Sequence, residues 1–223
     1  MSVAQIGLNS SYVGSRSDIL HLVPNNARKV LDIGCSIGAL GKSIKETKGA
    51  EVIGIEIDEI MAEVAKKDLD RVITGDIEEI DFKALFELID FDCIIFADVL
   101  EHLKDPWHIL RTITAFLACG GVVIASIPNV RHYTTISSLA VKGYWPYRDR
   151  GIHDKSHLRF FTFQNIQELF QESGLEIIEV KRHYRIIESP NKLNKFSQYF
   201  ALPLLKEFLT FQYLVVARKV ATD

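Results

Sequence analysis

The side chains of this chain that could do chemistry are acids and imidazoles set just after apolar runs, with glycines beside them. Asp32 closes the run that begins at Val30-Leu31, and Gly34 and Gly38 follow it. Neither glycine carries a Cβ, so backbone there can approach a ligand closely. Ile37, Leu40 and Ile44 then recur at helical spacing. A strand, a tight turn and a helix N-terminus are expected, and the helix start offers unpaired N–H groups and the positive end of a dipole. Glu56 closes a second apolar run, Asp76 follows a third, and Asp98 to His102 follow a fourth. An acid at Glu56 suits paired hydrogen bonds to two ribose hydroxyls, each contributing roughly 1.5–3 kcal/mol. Asp76 offers an acceptor for an exocyclic amine, and Ile77 an apolar contact for a purine face. The set points to an adenosine.

What lies beyond the ribose separates two ligands. A dinucleotide places its pyrophosphate on the helix N-terminus through G-x-G-x-x-G or A. Here the chain reads Gly34-x-Ser36-x-x-Ala39, without the second glycine. Asp32 is unfavourable beside a pyrophosphate and favourable beside an ammonium. The sign of that charge favours S-adenosylmethionine over NAD, with an NAD-dependent oxidoreductase as the alternative. Cys35, Ile57, Ala97, Asp98 and Val99 flank the named acids and complete the expected cofactor contacts.

His102 follows the fourth run, and an imidazole titrating near neutrality could accept the proton of an attacking hydroxyl. The competing reading is packing beneath the cofactor. His153 and His157 stand four apart, the spacing of two metal ligands on one helix face. No third ligand is evident beside them, so no metal is expected. With Tyr144 and Arg159 they are expected to line an acceptor pocket, where Tyr144, Trp145 and Tyr147 could stack on a ring; a packed aromatic loop is the alternative.

The elements that must position these residues alternate between strand and helix. This predicts an α/β fold, a doubly wound, mostly parallel sheet with helices on both faces. Ligands of such sheets bind beyond the C-terminal strand ends where strand order reverses, and the acids named above fall there. Asp58 is expected to cap a helix whose apolar face is Ile60, Met61, Val64 and Ala65. Asp105-Pro106 is a strong helix start, an acidic cap followed by proline in the first turn. Residues 143–161 fit no regular pattern. Residues 184–208 read as an insertion ending in Phe196, Tyr199, Phe200, Leu202, Leu204 and Leu205. A helix on the sheet, a lid, a membrane-surface contact or a homodimer face are its readings.

With 223 residues, 48% of them hydrophobic, one globular domain spanning 1–223 is expected. The net charge of −3 lacks the basic footprint of a nucleic-acid binder. The first residues lack a signal-peptide pattern and no apolar run reaches membrane-spanning length, so a cytoplasmic protein is expected. Cys35, Cys93 and Cys119 show no C-x-x-C spacing and read as reduced thiols.

Four of these features, in order, resemble the motifs of class I S-adenosylmethionine-dependent methyltransferases. Val30 to Gly41 is similar to D-x-G-x-G-x-G, with Asp32, Gly34 and Gly38 matching and Ser36 departing. Glu56 stands at the family's ribose acid and Asp76-Ile77 at its adenine position. Phe91 to Leu103 is similar to its fourth motif in the variant with Glu-His after the strand. The resemblance covers about residues 28–183 and again near 211–217. It implies a seven-stranded sheet whose last strand is antiparallel and inserted between the fifth and sixth. It also implies S-adenosylmethionine as cofactor and an N-terminal aromatic, Tyr12, closing over it. Gly151 to Thr162 resembles a segment of methyltransferases of surface-polysaccharide synthesis, which implies O-methylation of a small sugar or sugar-like acceptor. A non-catalytic cofactor-binding partner subunit is the reading outside catalysis. A nucleic-acid acceptor is disfavoured by the charge and by Ala97-Asp98-Val99 where such enzymes carry a proline-rich motif.

Overall fold

The computed structural model describes residues 16–86, 90–187 and 205–220, with residues 191, 194 and 202. The strands are β1 (Lys29–Ile33), β2 (Glu51–Glu56), β3 (Arg71–Thr74), β4 (Phe91–Ala97), β5 (Leu117–Pro128), β6 (Leu175–Tyr184) and β7 (Thr210–Lys219). They form one sheet in the order β3-β2-β1-β4-β5-β7-β6. Pairs from β3 through β5 are parallel, whereas β7 runs antiparallel to both β5 and β6. The antiparallel last strand thus stands between the fifth and sixth. Strand order reverses between β1 and β4, where the parallel register sets Asp32 beside Ile95.

Period-two alternation feeds two cores. Leu31, Ile33, Ile53, Ile55, Ile94, Phe96 and Val123 face one side. There they pack against α4 (Phe82–Phe86), α5 (Pro106–Thr114) and α7 (Phe163–Glu172) through Phe86, Ile109, Ile113, Ile166 and Phe170. Val30, Val52, Cys93, Ile95 and Ile124 face the other. They meet α1 (Ser17–Leu20), α2 (Ala39–Lys48) and α3 (Glu59–Ala65) through Ile19, Leu40, Ile44 and Ala65. Each fully buried side chain of this size contributes roughly 1.5–3 kcal/mol. The paired cores, not the polar turns, therefore hold the strand ends in register.

The expected caps form. Asp58 accepts from the Met61 N–H and Asp105 from the His108 N–H, both at 2.9 Å, and Pro106 occupies the first turn of α5. Thr162 and Asn165 make a capping box at the start of α7. One expectation is corrected: α3 buries Ala62 and Ala65, while Ile60 is exposed. Small residues pack there because α3 lies on β2 and β3, and Ala65 closes on the start of α2, where a Cβ on Gly38 would stand 3.2 Å from it. The side chain of Ile60 lies on the outer face.

Residues 143–161 run as irregular chain across the ends of β4 and β5. Leu158 and Arg159 donate backbone N–H bonds to the Glu101 carbonyl (2.8 and 2.9 Å), and Val130 donates to the Phe161 carbonyl (2.9 Å). Tyr12 and most of 184–208, where the interface was sought, lie outside the described residues. No helix among the described residues is long and apolar enough to cross a membrane.

Gly54, in β2, is the position where the strand has no room for a side chain: an added Cβ would lie 2.5 Å from Cys35 Sγ and 2.7 Å from Leu69 Cδ1. Overpacking of this kind costs about 1–3 kcal/mol. Gly54→Ala should lower the thermal midpoint clearly, read by differential scanning calorimetry; an unchanged midpoint would show that the turn after β1 yields easily.

Candidate active site

The turn after β1 is built by left-handed backbone at three places. Gly34 (φ 68°) and Gly38 (φ 81°) are glycine, and Ser36 (φ 51°) is not. A Cβ on Gly34 would meet Val99 Cγ2 at 2.6 Å, so the turn and the chain after β4 touch here. Left-handed backbone costs an ordinary residue roughly 1–2 kcal/mol. At Ser36 the geometry aims its N–H at Glu56 Oε2, 2.7 Å away. This bond explains how a serine holds the middle position.

Glu56 is buried at the end of β2 and accepts a second bond, from the Asp58 N–H to Oε1 (2.9 Å). Two backbone donors therefore fix its plane, and the remaining lone pairs can accept further hydroxyl groups. Asp32 is 1% exposed, and its Oδ2 has no hydrogen-bond partner. Burial, and then the Glu56 charge, push its pKa up to about 7, against a smaller lowering by Arg16. Two carboxyls thus share one dry strand end, and only one is satisfied. A cationic ligand group here would relieve both the desolvation and the repulsion. Asp76 caps its own turn through the Glu78 N–H (2.9 Å), beside buried Ile77. Ile57 is two-thirds exposed, an apolar wall without a covering partner in the fold. Cys35 is buried beneath the turn, and burial and Asp32 raise its thiol pKa, which keeps it an inert packing residue.

After β4 the chain turns through Asp98, in the left-handed region at φ 58°. Its carboxylate is engaged by Arg16, by Gln212 and by the Ser126 hydroxyl (2.9 Å). Arg16 also holds Asp18 (3.1 Å). This network was not legible in the sequence, because Arg16, Ser126 and Gln212 come from three distant stretches.

A turn of 3-10 helix, Leu100–His102, follows. Glu101 is buried, and burial with Asp98 raises its pKa well above the carboxylate range. The His102 and His157 rings meet edge to face, centroids 4.7 Å apart. Burial and then His102 push the His157 pKa down to about 4, so that ring is neutral at pH 7. Ala97 and Val99 line the strand end between this group and Asp32.

The four residues expected to form an acceptor wall separate. His153 and His157 do not share a helix face, because 151–161 is not helical. His157 joins His102. His153 is buried elsewhere, its Nε2 3.0 Å from the Thr135 hydroxyl and its ring against Trp145. Arg159 gives its guanidinium to the Lys104 carbonyl and lies over Trp107. Tyr144 is exposed and, with Tyr133, Lys142 and Arg148, lines a cavity of about 480 Å³ beside α6 (Tyr133–Lys142). The residue that the sequence reading passed over is Glu101, hidden inside a motif whose acid and imidazole look like one unit.

This fold and this strand-end set define a class I methyltransferase. Residues 14–180 match the family model described as "Methyltransferase domain", and the chain belongs to that family. The alternative of an NAD-dependent oxidoreductase is set aside by that membership. The chain is 30% identical over 168 residues to a ubiquinone biosynthesis O-methyltransferase of Cereibacter sphaeroides, covering 74% of this chain and 66% of that protein's length. It is 27% identical over 174 residues to the Pseudomonas aeruginosa protein of the same name, covering 71% and 72%. Among solved structures, a SAM-dependent methyltransferase from Archaeoglobus fulgidus superposes with a TM-score of 0.65 at 18% identity, covering 94% of this chain and 97% of that one. Magnesium protoporphyrin IX methyltransferase from Synechocystis with bound SAH gives 0.64 at 14% identity, covering 99% and 89%. At these identities the structures show a shared fold. The cofactor of this chain's family is S-adenosylmethionine.

Asp32 makes stability depend on pH. Its proton is held up to about pH 7 in the folded chain, against an ordinary value of 3.8. Between those values the folded state binds the extra proton, so stability falls as pH rises through the window and levels off above it. Asp32→Asn should flatten urea midpoints between about pH 4 and 7 relative to the parent without ligand. Parallel curves for the two proteins would remove the assignment.

Proposed function

We propose that this chain transfers the methyl group of S-adenosylmethionine to a hydroxyl oxygen of a small acceptor. The observation that carries the reading is the pair of carboxyls at adjacent strand ends, Glu56 fixed by two backbone donors and Asp32 buried with its Oδ2 left without a hydrogen-bond partner. Glu56 would take the ribose hydroxyls, and Asp32 would face the ammonium of the methionine end. Gly34, Cys35 and Gly38 supply the close backbone, Ile57 and Ile77 the adenine walls, and Asp76 an acceptor for the adenine amine. Ala97, Asp98 and Val99 close the other side. The names of the relatives support oxygen as the accepting atom.

The sulfonium is already activated, so the protein's task is to align oxygen, methyl carbon and sulfur. Positioning of this kind can supply on the order of 7–11 kcal/mol of the barrier. An oxygen lone pair forms the C–O bond as the S–CH3 bond breaks, and sulfur keeps the electron pair. The proton of the hydroxyl goes to His102, whose Nδ1 lies 3.3 Å from the Ser156 carbonyl. With Nδ1 donating there, Nε2 carries the lone pair.

The acceptor would enter over 143–161, where Tyr144 and Tyr133 offer faces for a flat or sugar ring. The likeness of 151–162 to polysaccharide-associated enzymes supports a sugar hydroxyl; the relatives' names support a hydroxyl of a ubiquinone precursor. A panel of both, with methyl gain read by mass spectrometry, separates them. An inactive panel with intact cofactor binding would favour the partner-subunit reading.

Two variants test the assignments. Glu56→Ala should weaken SAH binding by about 10- to 100-fold in calorimetry, from the loss of charged hydrogen bonds. His102→Ala should lower turnover by about 10²- to 10⁴-fold, with SAH affinity close to that of the parent. Unchanged turnover would remove His102 from proton transfer, and no SAH binding by the parent at millimolar ligand would overturn the reading.

A further inference from the structure

Glu101 is nine-tenths or more buried, and its Oε2 has no hydrogen-bond partner. A buried carboxyl in that state is costly unless something compensates it. Facing it are two imidazoles from separate parts of the chain, each held from behind by a carbonyl. The partners are Ile152 O at 3.2 Å from His157 Nδ1 and Ser156 O at 3.3 Å from His102 Nδ1. With each Nδ1 as the donor, both Nε2 atoms present lone pairs. A carbonyl behind a ring nitrogen is the outer-shell arrangement that orients ligating histidines.

One ligand atom from each of Glu101, His102 and His157 lies within 4.8 Å of the other two. Nε2 of His157 stands 4.0 Å from Oε1 of Glu101. That gap exceeds a hydrogen bond, about 2.7–3.2 Å. Ligands on a tetrahedral cation with bonds of ~2.0–2.1 Å lie about 3.3 Å apart. Small inward shifts of three side chains would close the set. The sequence pairs His157 with His153 and finds no third ligand; the fold sends His153 to Thr135 and supplies Glu101 and His102 instead.

We propose that Glu101, His102 and His157 bind one divalent transition-metal cation of the zinc class, leaving an open position toward the acceptor. Two imidazole nitrogens and one carboxylate are the donor set of such cations and not of magnesium or calcium, which take oxygen ligands. The frame is rigid. The Glu101 carbonyl accepts the Leu158 and Arg159 N–H groups, tying the loop to the turn that carries Glu101 and His102. Asp154 Oδ1 accepts the Ser156 N–H (2.9 Å) and hydroxyl, fixing the carbonyl behind His102. Asp98, nearby in charge, is already committed to Arg16, Ser126 and Gln212 and stays outside the set.

What the cation does rests on the methyl-transfer reading; that it binds does not. A cation in this place polarises a hydroxyl that enters its open position. With the cation bound, His102 is its ligand in place of the general base of the cation-free reading, and the hydroxyl proton leaves to solvent; the bonds made and broken at carbon and sulfur are unchanged.

The test uses the full chain freed of metal by chelator and dialysis. Co2+ and Zn2+ binding are measured by equilibrium dialysis and by the visible spectrum of the Co2+ form, with SAH calorimetry on the same samples. One Co2+ per chain is expected, displaced by Zn2+, with binding at least 100-fold weaker in Glu101→Gln and in His157→Ala while SAH affinity holds. Should Glu101→Gln not fold, His102→Ala, at a half-exposed position, carries the same expectation. No Co2+ binding by the parent at millimolar cation, or variants that bind Co2+ as the parent does, would overturn the site. Cation binding lost in the variants, with no SAH binding by the parent, would support the site and overturn the methyl-transfer reading instead.

Discussion

Two carboxyls at the ends of adjacent parallel strands set the terms for the rest of this structure. Asp32 and Glu56 are both buried, and the Glu56 charge helps raise the Asp32 pKa to about 7. Glu56 is tolerated because Ser36 and Asp58 donate backbone N–H groups to it. Asp32 has no equivalent, and its Oδ2 stays without a partner. Folding leaves this end of the sheet short of positive charge, which a ligand bearing an ammonium can supply. The turn that follows is left-handed at Gly34, Ser36 and Gly38, and at Ser36 it delivers one of the two N–H groups that hold Glu56.

Asp32 after β1 and Glu101 after β4 each leave one buried oxygen without a hydrogen-bond partner, and they differ in what surrounds them. Asp32 is set beside a second carboxyl, Glu56, with Arg16 acting on it more weakly. Glu101 instead meets two imidazoles whose outer nitrogens are held by carbonyls. Between them stands Asp98, fully engaged by Arg16, Ser126 and Gln212. Arg16 precedes the first helix, Ser126 lies in β5 and Gln212 in β7, so this network ties the start of the described chain to its last strand. The ends of β1 and β4 are thereby held on one frame.

The loop 143–161 shows how a polar segment is placed without regular structure. Its backbone bonds run to Glu101 and Val130, to the end of α6 from Gly143 and Tyr144, and otherwise within the loop itself. The same segment separates His153 from His157, sending one to Thr135 under α6 and the other to His102. The aromatic side chains Tyr133 and Tyr144 remain exposed above it. The loop thus joins the Glu101–His102–His157 cluster at one edge to exposed Tyr144 at the other.

The sequence alone determined the sheet, its helices and the strand-end acids, because these follow from local rules. Apolar runs of strand length, glycines before a helical period and capping residues such as Asp58, Asp105 and Thr162 act within a few positions. The antiparallel place of β7 was legible by resemblance. Local spacing failed where packing between distant elements decides. Ile60 has the spacing of an inward residue, yet Ala62 and Ala65 are the side chains that α3 buries, with Ala65 close to Gly38. His153 and His157 looked like a pair because a four-residue step means proximity only on a helix. That Glu101 is buried with its Oε2 lacking a hydrogen-bond partner, and that Arg16 reaches Asp98, are consequences of tertiary burial and charge pairing. No short stretch of sequence carries those quantities, because they depend on which chain segments exclude water from one another.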